Sequence, residues 1–267
     1  MKRLLIGYDG SDCASAALDD LRSAGLPAEL HVKVLTVADV WLPPDSHKLE
    51  PVYPDVEAKA VRRARASAVG VLKQAEETAK AGGARIRELY PTWKVEAVAL
   101  ADSPAWAMVR TAREWHADLV LVGSHGRSMI ERLFLGSVAQ RVALEAPCSV
   151  RVVRPREERQ SGQLRMMIAV DGSADSETAV GAVLTRVWPL NAEFRLVTVI
   201  DHRLQSAVAW PSAYADQWVL QHDKEAKEWA CRIVEYHANR LDKTGLRVET
   251  HICDGDPKPV LLRAAKD

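Results

Sequence analysis

The chain repeats itself. Leu5-Ile6-Gly7-Tyr8-Asp9-Gly10-Ser11 returns 162 residues later as Met167-Ile168-Ala169-Val170-Asp171-Gly172-Ser173, and Thr36-Val37-Ala38-Asp39 returns at the same offset as Thr198-Val199-Ile200-Asp201. Two separated matches at one offset mark a duplicated domain, which constrains the fold more than composition does, because what one copy builds the other must build too. Ser103-Pro104 then matches Asp256-Pro257, and Arg110-Thr111-Ala112-Arg113 matches Arg263-Ala264-Ala265-Lys266, now at an offset of 153. The second copy therefore has a shorter middle. A length of 267 residues suits two domains of ordinary size. The expected boundaries are 1–154 and 164–267, joined by the polar stretch Pro155 to Gln163.

Each copy reads as strands alternating with helices. In the first, Arg3 to Tyr8 is an apolar strand, and Gly10-Ser11-Asp12 supplies a turn and cap before a helix starting near Ala14. Glu29 to Val37 is a second strand, Val40 to Pro54 a proline-bearing loop, and 55–81 a long alanine-rich helix that stops before Gly82-Gly83. Trp93 to Leu100, Asp118 to Val122 and Ser149 to Val153 are further strands, with helices over Pro104 to Trp115 and Ser137 to Glu145. Strands apolar on both faces and separated by helices predict an α/β fold, a doubly wound parallel sheet in each copy. In such sheets a ligand lies beyond the carboxyl ends of the strands, where the strand order reverses.

By the repeat alignment Asp267 corresponds to Glu114, so Trp115 to Arg154 has no counterpart in the second copy. The second domain is expected to be truncated, lacking a fourth strand beside Met166 to Val170. Its apolar edge then lies open unless another segment covers it.

Composition narrows the function. Lys plus Arg and Asp plus Glu balance at 36 each, so no field draws the chain to nucleic acid. No apolar run approaches the roughly 18 residues of a membrane span, and the N-terminal apolar run stops at Asp9, short of a signal peptide. A cytoplasmic location is expected. Cys13, Cys148, Cys231 and Cys253 form no CxxC pair, and are expected to be buried and reduced.

The chemistry concentrates after the fourth strand. Gly123-Ser124-His125-Gly126-Arg127 is followed, nine residues on, by Gly136-Ser137, a G-x2-G-x9-G-S spacing. Glycines let backbone amides approach phosphate oxygens, and Gly136-Ser137 opens a helix whose free N–H groups favour an anion. Arg127 is placed to pair with a phosphate, or to stand in solvent. The pattern is neither a Walker A loop nor the dinucleotide fingerprint. His125 has no identifiable carboxylate partner to make it a general base.

Through the Asp-Gly-Ser opening, Val-Gly-Ser-His-Gly-Arg-Ser at 122–128, Leu-Gly-Ser-Val at 135–138 and Ala-Pro-Cys-Ser-Val at 146–150, nearly the whole chain resembles the ATP-binding universal stress proteins. The resemblance implies a strand order of 3-2-1-4-5 and an adenine nucleotide, ATP, ADP or AMP, as ligand. It places Asp9 at the ribose or adenine side, the Val37 backbone at adenine, and Gly123, Gly126, Gly136 and Ser137 at the phosphates. It implies a regulatory module in stress response, paired as a homo-oligomer or between repeats. Whether Mg²⁺ accompanies the nucleotide is left open. The alternatives are a slow ATPase or phosphotransferase, disfavoured because the cradle lacks a lysine and acidic metal ligands, and a structural dimerisation unit.

Overall fold

A computed structural model of the chain describes residues 2–41, 57–126, 135–155, 163–201 and 215–266. The chain divides into two compact units, Met1–Glu158 and Arg159–Asp267.

In the first unit β1 (Arg3–Gly7), α1 (Asp12–Asp20), β2 (His31–Ala38), α2 (Glu57–Leu89), β3 (Lys94–Ala101), α3 (Pro104–Glu114), β4 (Leu119–Gly123), α4 (Ser137–Glu145) and β5 (Ser149–Val153) alternate along the chain. All strands run parallel in the order β3-β2-β1-β4-β5. Side chains alternate across the strands, so each strand feeds two cores. Leu4, Ile6, Val32, Val34, Leu119 and Leu121 pack on one face with Leu18 of α1 and Ile86 of α2. Leu5, Leu35, Val120 and Val122 pack on the other with Met108 of α3 and Val142 of α4. This is why β1 and β4 carry uninterrupted apolar runs, Leu4 to Ile6 and Leu119 to Val122. Burying each such Leu or Val contributes about 1.5–3 kcal/mol.

One boundary differs from the sequence expectation by more than two residues. The helix does not stop near residue 81 but runs through Gly82-Gly83 to Leu89. The ring of Tyr8 lies against Gly82 so closely that an added Cβ would stand 2.6 Å from its Cδ1. Close tertiary packing here outweighs the roughly 1 kcal/mol helix penalty of each glycine.

The second unit contains β6 (Arg165–Ala169), α5 (Ala174–Leu184), β7 (Glu193–Ile200), α6 (Ala215–Asp242), β8 (Arg247–Asp254) and α7 (Pro257–Ala264). They form a parallel sheet in the order β6-β7-β8. Its register reproduces the first: Arg3 pairs with His31 and Arg165 with Glu193, each 162 residues on, while Lys94 and Arg247, 153 apart, take the same partner positions. Among the described residues no strand pairs with the other edge of β6, and a single core cluster forms, around Ile168, Val180, Phe194, Leu196 and Val234. No residue of α7 is buried, whereas α3 buries Ala105, Ala107, Met108, Val109 and Ala112.

Cys13 is buried as expected, but Cys148 and Cys253 are half-buried and Cys231, on the outer side of α6, is exposed. No helix among the described residues is long and apolar enough to cross a membrane.

Candidate functional site

The carboxyl ends of β1 and β4 lie side by side at the centre of the first sheet, with β2 beyond β1 and β5 beyond β4. Strand order reverses between them, which opens a crevice there. After β1 the chain turns sharply. Gly10 takes a left-handed φ of 78°, Asp9 Oδ1 accepts the Ser11 amide at 3.0 Å, and Ser11 Oγ caps α1 through the Ala14 amide at 3.1 Å. These bonds hold the Asp9 carboxylate at the crevice mouth, and its Oδ2 faces the glycine loop: a Cβ on Gly126 would come within 3.0 Å of it.

The loop after β4 is pinned at Ser124, which is fully buried. Its amide donates to the Val153 carbonyl at 2.7 Å, and its carbonyl accepts the Gly136 amide at 2.8 Å. The chain thus leaves and returns at one residue. Gly136 lies on the Ser124 and His125 backbone, where a Cβ would be 3.1 Å from the Ser124 carbonyl oxygen and 3.4 Å from His125 Cα. Gly136 is the N-cap of α4 without a side-chain cap bond, and Ser137 follows, exposed. His125 Nδ1 stands 3.0 Å from Ser124 Oγ, and its Nε2 is buried with no hydrogen-bond partner among the described residues.

The structure therefore brings Asp9, Gly126, Gly136 and Ser137 to one crevice. Gly123 is placed differently, at the end of β4, where a Cβ would meet the Cys13 and Ala14 backbone at 3.0–3.1 Å. Its lack of a side chain serves the close approach of α1. Val37 is half-buried on β2, two residues past Gly7–Leu35, the last registered pair of β1 and β2. Backbone polar groups point alternately to the two sides of a strand. The Leu35 carbonyl accepts the Tyr8 amide at 2.9 Å, so the Val37 amide and carbonyl point to the same side, where β1 has already turned away. Arg127 lies outside the described residues, as does most of the Val40 to Pro54 loop. Among the described residues no group of three or more His, Cys, Asp or Glu could hold a metal ion.

Two residues of the site went unread in the sequence. Ser124 fastens the loop through its backbone, which no side-chain motif reports. Thr36 donates its hydroxyl to the Tyr8 carbonyl at 2.6 Å, tying β2 to the turn. Its sequence signal is the return of Thr36-Val37 as Thr198-Val199, and Thr198 donates to the Val170 carbonyl in the same way.

Among the described residues the second unit has no counterpart of the glycine loop, but it repeats the turn that opens the first. Asp171 Oδ1 accepts the Ser173 amide at 3.0 Å, Gly172 has φ 75°, and Ser173 Oγ caps α5 through the Ser176 amide at 3.1 Å. The hydrogen bonds from Ser173 and Ser176 hold the Asp171 carboxyl below its ordinary pKa.

Comparison with known proteins agrees with this architecture. The universal stress protein family model matches residues 1–154 and again 164–267. A universal stress protein of Thermus aquaticus is 35% identical over 153 residues, 57% of this chain and 98% of that protein. One from Mycobacterium tuberculosis is 24% identical over 245 residues, covering 90% of this chain and 79% of its own length. The crystal structure of a universal stress protein from Archaeoglobus fulgidus superposes with a TM-score of 0.54 at 18% identity, covering 99% of this chain and 82% of that one. With both repeats matched by one family model and the sheet order of the first in place, the chain belongs to the universal stress protein family.

Proposed function

We propose that residues 1–154 form a module that binds one adenine nucleotide, ATP, ADP or AMP, and that the chain acts as a cytoplasmic regulatory module in stress response. The observation that carries this reading is the convergence of the Asp9 carboxylate, the Gly126 backbone facing it, Gly136 packed on the Ser124 backbone, and the start of α4 without a side-chain cap. The residues fit such a group. Asp9 supplies an acceptor for hydroxyl or amino donors of the nucleoside, the Val37 backbone supplies a donor and an acceptor for the edge of a planar base, and Gly136 with Ser137 supplies amides and a hydroxyl for phosphate oxygens. Residues 164–267 are a second module of the same fold. Self-association, or pairing between the modules, is the assembly that goes with this reading.

Calorimetric titration with ATP and AMP tests it. One nucleotide per chain is expected, and Gly126→Val and Gly136→Val are each expected to abolish binding, because a side chain enters the space facing Asp9 in the first case and the Ser124 backbone in the second. Two nucleotides per chain, or unchanged affinity in both folded variants, overturns the reading.

A further inference from the structure

The two repeats share a backbone but differ in the group that fills the space between the first strand's end and the long helix. α2 buries the stripe Ala75, Ala79, Gly82, Ile86, and α6 buries Ala230, Val234, His237, Leu241 at the same spacing. The alignment also places Arg85 opposite Arg240, and both bind a carboxylate of the preceding helix: Arg85 that of Asp19 at 2.8 Å, Arg240 that of Glu177. In the first repeat the Tyr8 ring lies over Gly82 and its hydroxyl stands 3.5 Å from Ser15 Oγ. In the second all three members change together. Val170 stands for Tyr8, Glu177 for Ser15 and His237 for Gly82. A ring supplied by the strand is exchanged for one supplied by the helix, and the phenol for an imidazole.

His237 is buried, with a side chain only 4% exposed. Its Nδ1 has no hydrogen-bond partner among the described residues and lies 3.8 Å from Glu177 Oε2, beyond hydrogen-bond reach. We propose that the second repeat is acid-sensitive, protonation of the buried His237 loosening α5 from α6 while the first repeat, with Tyr8 over Gly82 in the same place, stays closed.

The charges around the imidazole decide the direction. α5 presents Glu177, which favours the protonated ring, but this carboxylate is half-exposed and already bound by Arg240. From α6 itself Arg240 opposes protonation, and Tyr236 meets the ring edge-on at 5.0 Å between centroids. The sheet beneath presents Ile168 of β6 with Val170 just after it, Phe194 and Leu196 of β7 and Val248 of β8, none of which titrates. Alternation brings one acidic group, Asp254, to that face, at the far carboxyl end of β8. Burial outweighs Glu177 and holds the imidazole below its ordinary pKa. The unfolded segment therefore takes up the proton first. Stability is complete above the ordinary histidine value of about 6.5, falls as pH drops from there toward the lower folded value, and then levels off.

Hydrogen exchange on the full chain from pH 7.5 to 5, corrected for intrinsic rates, tests the proposal. Amides of α5 and of 224–242 are expected to lose up to about tenfold in protection per pH unit within the window, relative to α1 and 62–89. His237→Gln should abolish this difference. The ring titration of His237 followed by NMR in the unaltered protein gives an answer independent of that variant's folding, with a midpoint expected below the ordinary value. Equal loss in both repeats, a pH dependence that survives His237→Gln, or an ordinary midpoint each overturns the proposal.

Discussion

Single residues do their work in this chain mainly by leaving space or filling it. Gly82 is the clearest case, because Tyr8 occupies the room a side chain would need. Gly82→Ala gains up to about 1 kcal/mol of helix propensity but must displace the ring, and overpacking costs about 1–3 kcal/mol. A net loss of up to about 2 kcal/mol in urea unfolding is expected, removed when Tyr8→Val is added, since the second repeat already has Val170 at that place. A fully additive double variant would show that the ring is not the obstacle. The Asp9-Gly10-Ser11 turn was legible in the sequence because its bonds are local: carboxylate to the amide two residues on, hydroxyl to the amide three residues on. The contacts of Gly82 and Gly123 were not legible, because their neighbours lie 74 and 109–110 residues away in the chain.

Elements inherit stability from what covers them. α3 and α7 are counterparts opened by Ser103-Pro104 and Asp256-Pro257, yet only α3 has buried residues. Asp256 caps α7 through the Lys258 amide at 3.1 Å, while Ser103 makes no such bond. A cap is worth about 1 kcal/mol, less than burying one Met or Val side chain at about 1.5–3 kcal/mol. Packing should therefore win over capping. Amides of α7 are expected to exchange faster than those of α3 after correction for intrinsic rates, and equal protection would mean that α7 is covered in solution.

For the whole molecule, the decisive contrast is two core clusters against one. The first unit's sheet has a core on each face, whereas among the described residues the second unit's sheet has one. Its β8 is largely exposed, with Ile252 at 39% and Leu262 of the adjacent α7 at 69%. Pulsed hydrogen exchange in increasing urea is expected to show 164–266 losing protection at lower denaturant than 2–154, and coincident transitions would contradict this. The duplication, the parallel α/β class, the turn after each first strand and the glycine spacing are written in the sequence. These follow from periodicity, local bonding and self-comparison, and each can be read within a short window or by laying the chain on itself. That Ser124 ties the glycine loop to Val153 and Gly136, that Gly126 faces Asp9, and that His237 stands where the first repeat has Gly82 beneath Tyr8 emerges only in the folded chain. Those are contacts between groups far apart in the chain, set by which faces must be buried together, and no local pattern encodes them.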